Sequence, residues 1–397
     1  MSKLTTLQVL RGLAAVTVVV DHAILRQAEW SAISPVVLRA AEYSGALAVA
    51  AFFAISGFIM VHTSIGEYGR PGAVGRFILK RFWRIVPLYW IATSLEIILR
   101  YRGGSETTIE RAFASYFFIP FPVEAGDYMR PLLGVGWTLN YEIFFYLLFA
   151  VSLVLPLRSG LPLLFGALFS IIAAGAVFVT PLTDASQPHT IIGFWTDPVL
   201  FVFAAGMVIG VIHKSVRLPV IPGALAVVLA LLAQNILAFT LFVDAMPAPF
   251  SWWVATWALC ALVIGICVSA RENTKPSRPV ENGVWLGDIS YALYLFHFFS
   301  IVAAEKIWWL VFGKVDIAGS FVLFATLASI AGAGVIHVFV EVPLLNLARR
   351  RPHASTVGET ATPTNKGLGA IRIRMADLLR TFFVPALPPI LRPTLRK

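Results

Sequence analysis

The sequence predicts an all-α integral membrane protein of about ten transmembrane helices, with both termini cytoplasmic and a short basic C-terminal tail. Three observations carry that prediction. Of 397 residues, 58% are apolar and 13% charged, with a mean hydropathy of +0.81, where a soluble domain has roughly 25% charged residues. The apolar residues gather in runs of about 20, the length of helix that crosses a hydrocarbon core of roughly 30 Å. The cationic residues are shared unevenly between alternate loops. The same composition excludes a soluble enzyme, a disordered chain and a secreted disulfide scaffold.

In chain order the runs are 7–25, 45–64, 82–99, 136–156, 161–180, 194–212, 219–243, 251–270, 287–304 and 318–345. The first holds Arg11, Asp21 and His22 and lacks a small-residue cleavage site, so it reads as a span and not as a signal peptide. The stretch 112–122, AFASYFFIPFP, is too short to cross and holds two prolines, so it reads as interfacial or re-entrant. Cys260 and Cys267 lie seven positions apart in one run, about 10 Å of helical rise. That is too far for a disulfide, and they read as small packing groups.

With the N-terminus inside, 22 of the 31 Lys and Arg residues fall in inner segments, chiefly 66–84, 271–278 and 349–397. Eight fall outside, and Arg11 lies within the first span. That asymmetry puts both termini in the cytoplasm with an even number of spans. It also assigns the net charge of +10 to topology and argues against a nucleic-acid partner. Residues 1–348 read as one polytopic membrane domain and 349–397 as a basic tail. Ile371, Met375, Leu378, Leu379, Phe382 and Phe383, with Arg372, Arg374 and Arg380 among them, suggest an amphipathic helix over 370–384 on an anionic leaflet. A disordered basic tail is the alternative.

Ionisable groups inside hydrocarbon are costly and by default mark a site or a buried pair. Arg11 falls near the inner end of the first span. His22, eleven residues on, lies about 16 Å higher on the same face of an ideal helix. Asp21 points about 100° away from it. Glu142, in GWTLNYEIFFY at 136–146, falls near the outer end, in the depth band of His22. Arg81 and Arg84 share a face at the inner mouth of the third span, Glu341 lies level with Arg11, and His297 falls near the midplane in SYALYLFH. Two polar layers result, an inner one rich in Arg and an outer one with His, Asp and Glu.

Guanidinium forks match phosphates, so the inner layer suits a phosphorylated cytoplasmic ligand. An imidazole near a carboxylate suits general-base activation of a hydroxyl. A donor that reaches from one layer to the other needs a long thin arm, which points to an acyl thioester such as acyl-CoA. Each residue also has a plainer role open to it. These are topology anchoring for Arg81 and Arg84, an ion pair between Arg11 and Glu341, a helix-packing hydrogen bond for Glu142, and interhelical hydrogen bonds for His297 and His62. The histidines lack ligand spacing and no cysteine pairs with them, so no metal site is expected. Trp30, Trp195, Trp252, Trp253, Trp308 and Trp309 fall at span ends and read as interfacial belt residues. Gly206 and Gly210 read as close helix packing.

Six stretches resemble the acyltransferase-3 family of integral membrane acyltransferases, and within it bacterial exopolysaccharide O-acetyltransferases. They are LQVLRGLAAVTVVVDH at 7–22, AFFAISGFIM at 51–60, RFWRIVPLYW at 81–90, GWTLNYEIFFYLLFA at 136–150, ISYALYLFH at 289–297 and VEVPL at 340–344. The resemblance implies an acyl-CoA donor, acetyl-CoA first, bound at the cytoplasmic face, and a carbohydrate acceptor on the other side of the inner membrane. The family's Arg–ten residues–His signature falls on Arg11 and His22, and its Arg-x-x-Arg signature, linked to CoA binding, on Arg81 and Arg84. Its Trp-Thr-Leu…Glu…Tyr stretch falls on Trp137, Glu142 and Tyr146. Val342 stands where the family commonly has a base between Glu341 and Pro343.

The expected activity is therefore transfer of an acyl group from cytoplasmic acyl-CoA to a hydroxyl of a surface polysaccharide or its lipid-linked precursor, in a bacterial cytoplasmic membrane. His22 is the expected base, with Glu142 as orienter and Asp21 as a lesser candidate. Arg11, Arg81 and Arg84 are expected to hold the CoA phosphates, with Trp137, Tyr146, His297 and Glu341 in support. Partners would be lipid and, through the acceptor, the polysaccharide-synthesis machinery. The rival classes are a transporter using the same residues as a substrate or proton path, and a non-catalytic scaffold. A transporter is favoured by inverted repeats, which the chain lacks, and a scaffold leaves Arg11 and His22 without a task.

Overall fold

Backbone polar groups have no water to bind inside a bilayer, so each apolar run must satisfy its own hydrogen bonds as a helix. The computed structural model describes residues 4–105, 107–122, 128–179, 188–213, 250–269, 278–315 and 319–350. These are helices joined by turns, with one isolated bridge pairing Pro122 with Met129. In chain order they are α1 (Thr5–Ala28), α2 (Pro35–Ser64), α3 (Ala73–Arg102), α4 (Ile109–Tyr116), α5 (Trp137–Ser152) and α6 (Leu157–Phe178). There follow α7 (Ile191–Trp195), α8 (Leu200–Ile212), α9 (Phe250–Ser269), α10 (Arg278–Phe312), α11 (Ser320–Ile336) and α12 (Val342–Arg350).

Among the described residues, eight helical stretches are long and apolar enough to cross a membrane. They coincide with eight of the ten expected runs, and α9 covers a ninth. The chain is an all-helical, multi-pass membrane protein. The expected span 219–243, the tail from 351 onward and its helix over 370–384 lie outside the described residues. Several helices outrun their apolar cores. α3 begins at Ala73, not at 82, and α10 runs for 35 residues, about 52 Å.

α1 lies against both α10 and α2, and α2 in turn against α8. Small residues set these approaches. A Cβ on Gly206 of α8 would lie 2.0 Å from the Ala54 carbonyl oxygen of α2, and one on Gly57 of α2 2.2 Å from the Phe203 carbonyl oxygen of α8. A Cβ on Gly287 of α10 would lie 2.0 Å from the Gln8 carbonyl oxygen of α1. Backbone meets backbone at each point, so no side chain fits. Cys260 and Cys267 are free and buried on α9.

The short run at 112–122 contributes only α4 and its ending. Phe118 takes a left-handed φ of 59°, as the residue after a helix often does. The N–H groups of Phe118 and Ile119 return to the carbonyls of Ser115 (3.2 Å) and Ala114 (2.8 Å). The Phe118 ring stacks on Tyr89 of α3 at 4.5 Å, which holds a conformation that glycine usually supplies.

α11 passes into α12 through a π-helical turn, His337–Glu341. Such turns insert one extra residue and re-aim side chains. Here the turn sets Glu341 against Arg84 of α3 and His337 against Glu341.

Candidate active site

Two polar stripes face each other along α1 and α10. On α1, Arg11 and His22 are eleven residues apart, about three full turns. On α10, Tyr291, Tyr294 and His297 recur every three residues, which keeps them near one face. The close approach at Gly287 brings these two helices together at one end, and the stripes meet.

His22 Nδ1 lies 2.8 Å from His297 Nε2, with the two rings stacked at 4.9 Å and 16°. His297 is 1% exposed, and its Nδ1 lies 2.7 Å from the Tyr294 carbonyl oxygen. A carbonyl only accepts, so that nitrogen carries the hydrogen. In a neutral ring the His297 Nε2 is then a bare lone pair. It accepts from His22 Nδ1–H, which leaves the lone pair of His22 on Nε2. The tautomer follows from the bonding, as it must where hydrogens are assigned and not seen.

A cavity of about 120 Å³ is lined in part by Tyr294, whose ring neighbours that of His297. Its polar lining is Arg11, Ser56, Arg81, Arg84, Thr138, Glu142, Tyr146, Ser290, Tyr291 and Tyr294. Three guanidiniums share one small space with a single carboxylate, Glu142. Its Oε1 accepts from Ser56 Oγ at 2.8 Å and from the Tyr146 hydroxyl. The Arg81 guanidinium lies 5.3 Å over the Tyr146 ring, and that of Arg84 lies 5.5 Å over the Tyr291 ring. Arg84 Nη1 donates to Glu341 Oε1 at 2.7 Å, and the other Glu341 oxygen lies 2.7 Å from His337 Nδ1. Arg11 Nη1 donates to Gln8 Oε1 at 3.1 Å. Tyr294 closes the far wall. Its hydroxyl bonds Thr138 Oγ1 (2.8 Å) and the Val135 carbonyl (3.0 Å), while its ring lies 6.1 Å from that of His297.

The structure thus brings Arg11, Arg81, Arg84, Glu142 and Tyr146 together in one lining, while His22 and His297 pair outside it, with Tyr294 common to both. Two expected pairings differ, and Asp21 lies apart from the site. Glu142 holds Ser56 and Tyr146, while the ring partner of His22 is His297. Glu341 pairs with Arg84, not with Arg11. Asp21 faces α2, where a Cβ on Gly45 would lie 2.0 Å from its Oδ2. Its Oδ1 accepts no hydrogen bond among the described residues. Trp137 packs edge-on to Phe53 and Tyr141, beside the cavity and not in its lining. The lining also holds Ser56, Thr138, Ser290, Tyr291 and Tyr294, which are not among the residues expected from sequence. The three-residue period Tyr291–Tyr294–His297 was the available signal for the last two. Ser56 and Thr138 carried none, since hydroxyls are common inside helices.

Helices long and apolar enough to cross a membrane, around a cavity lined by three arginines, define a polytopic membrane protein with a polar site among its helices. Residues 4–338 match the acyltransferase domain family, and the chain belongs to that family, the acyltransferase-3 membrane acyltransferases. It is 35% identical to the exopolysaccharide production protein ExoZ of Rhizobium meliloti (strain 1021) over 323 residues, covering 80% of this chain and 95% of that protein. It is 26% identical to a putative membrane-bound transacylase, BcsY, of Komagataeibacter xylinus over 87% of this chain and 84% of that one. Against the acyltransferase MdmB of Streptomyces mycarofaciens the identity is 26%, over 80% and 85% respectively. No solved structure matches the chain.

Proposed function

We propose that this membrane acyltransferase moves an acyl group, acetyl first, from cytoplasmic acyl-CoA to a sugar hydroxyl of an exopolysaccharide or its lipid-linked precursor. The observation that carries the reading is a three-arginine cavity that shares Tyr294 with the His22–His297 pair. Arg11, Arg81 and Arg84 supply the phosphate-binding forks. The apolar lining by Val49, Phe52, Phe53 and Ile55 suits the thin arm of a thioester donor. The 35% identity to ExoZ over most of both chains supports a polysaccharide acceptor, and the Lys and Arg asymmetry supports placing the arginine end in the cytoplasm of a bacterial inner membrane.

His22 Nε2 is the base. It takes the proton of the acceptor hydroxyl, whose oxygen attacks the thioester carbonyl. The C–S bond breaks, and the imidazolium returns its proton to the departing thiolate. His297 holds the His22 ring and its tautomer, the positioning task first assigned to Glu142. Glu142, bonded to Ser56 and Tyr146, instead keeps the three cations from repelling one another in a low-dielectric space.

Mass spectrometry of the polysaccharide from cells with and without the protein tests the reading. Loss of a fixed acyl substituent with the sugar backbone intact is expected. Unchanged acylation in the deletion strain contradicts it.

A further inference from the structure

The arginine cavity changes character along α2. Thr63, Ile59, Ser56 and Phe52 follow one another at steps of three or four residues, so they share one face of that helix. Arg81 Nη2 donates to Thr63 Oγ1 at 3.4 Å, and Ser56 bonds Glu142, which fixes the charged end. Phe52 lies one turn beyond Ser56, and Val49 one turn beyond Phe52, about 10 Å from Ser56 along the axis. Ser56, Phe52 and Val49 all line the cavity. From Phe52 onward α2 gives it only carbon.

Two rings close that apolar end. Phe52 meets Tyr294 of α10 edge to face at 5.8 Å and 60°. The Tyr294 ring lies 6.1 Å from that of His297, which stacks on His22. The end of the cavity and the base therefore stand in one row of rings. The two closing rings are held differently. Tyr294 is tethered through its hydroxyl to Thr138 Oγ1 and the Val135 carbonyl. Phe52 has no polar atom to tether and is half-buried. Its neighbour Phe53 turns into the core instead, against Phe203 at 4.6 Å.

On the acyl-transfer reading above, on which this step rests, the donor phosphates lie at the arginines and the base lies beyond Tyr294. The acyl group is then the part of the donor that reaches the two rings. A hydrophobic site separates ligands that differ by one methylene by roughly 10- to 200-fold, and a packed wall resists each added carbon. We propose that Phe52 sets the longest acyl group the protein transfers, by closing the apolar end of the cavity against the fixed Tyr294 ring. It restricts the donor to short acyl-CoA, with acetyl first.

The test gives full-length protein in lipid nanodiscs acetyl-, propionyl-, butyryl- or hexanoyl-CoA. The acceptor is an oligosaccharide fragment of the producing cell's exopolysaccharide, freed of acyl groups by mild alkali. The readout is kcat/KM for each donor relative to acetyl-CoA, a ratio that partial loss of folded protein does not move. In wild type it is expected to fall about tenfold or more with each added methylene. Phe52→Ala is expected to raise the butyryl-to-acetyl ratio by about tenfold or more, and the milder Phe52→Leu to raise it by less. Equal use of all four donors by wild type overturns the size limit and leaves acyl transfer standing. So do wild-type ratios in folded Phe52→Leu protein and in Phe52→Ala. No transfer from any donor overturns the acyl-transfer reading, and the size limit with it.

Discussion

The Nδ1 of His22 and the Nε2 of His297 are 2.8 Å apart, and the Tyr294 carbonyl, 2.7 Å behind His297, fixes which nitrogen carries each hydrogen. One backbone oxygen therefore sets the lone pair of His22 through an intervening ring. The arrangement does for His22 what a carboxylate does for the base of a hydrolase triad, but with no net charge. Inside a membrane this avoids burying an anion.

Replacing His297 tests that relay. His297→Ala frees the His22 ring to rotate and to change tautomer. It is expected to lower kcat for acyl transfer by about 10²-fold, within the range that a positioned base supplies. The KM for acyl-CoA should stay near wild type, because His297 is not in the cavity lining. Steady-state kinetics of the purified variant checks both numbers, and an unchanged kcat excludes a positioning role.

Arg84 and Glu341 should separate into a binding effect and a folding effect. Arg84→Gln is expected to raise the KM for acyl-CoA about tenfold, and Arg84→Lys to restore only part, since a point charge lacks the guanidinium fork. Glu341 is 3% exposed at its side chain and Arg84 29%. Glu341→Ala should therefore cost less than the ~3–5 kcal/mol of breaking a fully buried pair, on the order of 1–3 kcal/mol after screening at the open side. A fall in Tm together with a raised KM is the expected signature.

The contact between α2 and α8 can be tested without touching the site. Gly206→Ala places a methyl against the Ala54 carbonyl and should destabilise by about 1–3 kcal/mol, as overpacking does. Gly166, on α6, has nothing within 4 Å of its Cβ position. Gly166→Ala should be neutral or stabilising by about 0.5–1 kcal/mol. Thermal unfolding followed by tryptophan fluorescence distinguishes the two.

Topology is directly measurable. Reporter fusions at Gly72, before α3, should be active only in the cytoplasm, and those at Gly104, after it, only outside. The reverse pattern overturns the orientation drawn from the Lys and Arg asymmetry, and with it the cytoplasmic donor.

Much of this was legible in the chain. The apolar runs located the described long helices, because a hydrophobic stretch of that length has few alternatives. Arg11, Arg81, Arg84, Glu142 and Tyr146 were singled out from sequence, and they line one cavity. The placing of Arg81 and Arg84 at the mouth of the third span is what the structure corrects, for a physical reason. α3 starts at Ala73, so Arg81 and Arg84 lie two to three turns inside that helix and not at its mouth, within reach of α5. Nor could the sequence choose among partners. Whether Glu341 meets Arg11 or Arg84 depends on the π-helical turn at His337–Glu341, and no residue pattern announces it. The pairing of His22 with His297 needed the rotation of α1 about its axis, which periodicity leaves open by tens of degrees.

The central claim is that His22 is the base for acyl transfer, and one measurement addresses it most directly. Purified wild-type and His22→Ala proteins, matched for folding by Tm in nanodiscs, are given radiolabelled acetyl-CoA and the deacylated oligosaccharide. The account predicts label in the oligosaccharide with wild type and a loss of at least ~10²-fold with His22→Ala. Equal transfer by a folded His22→Ala protein contradicts it.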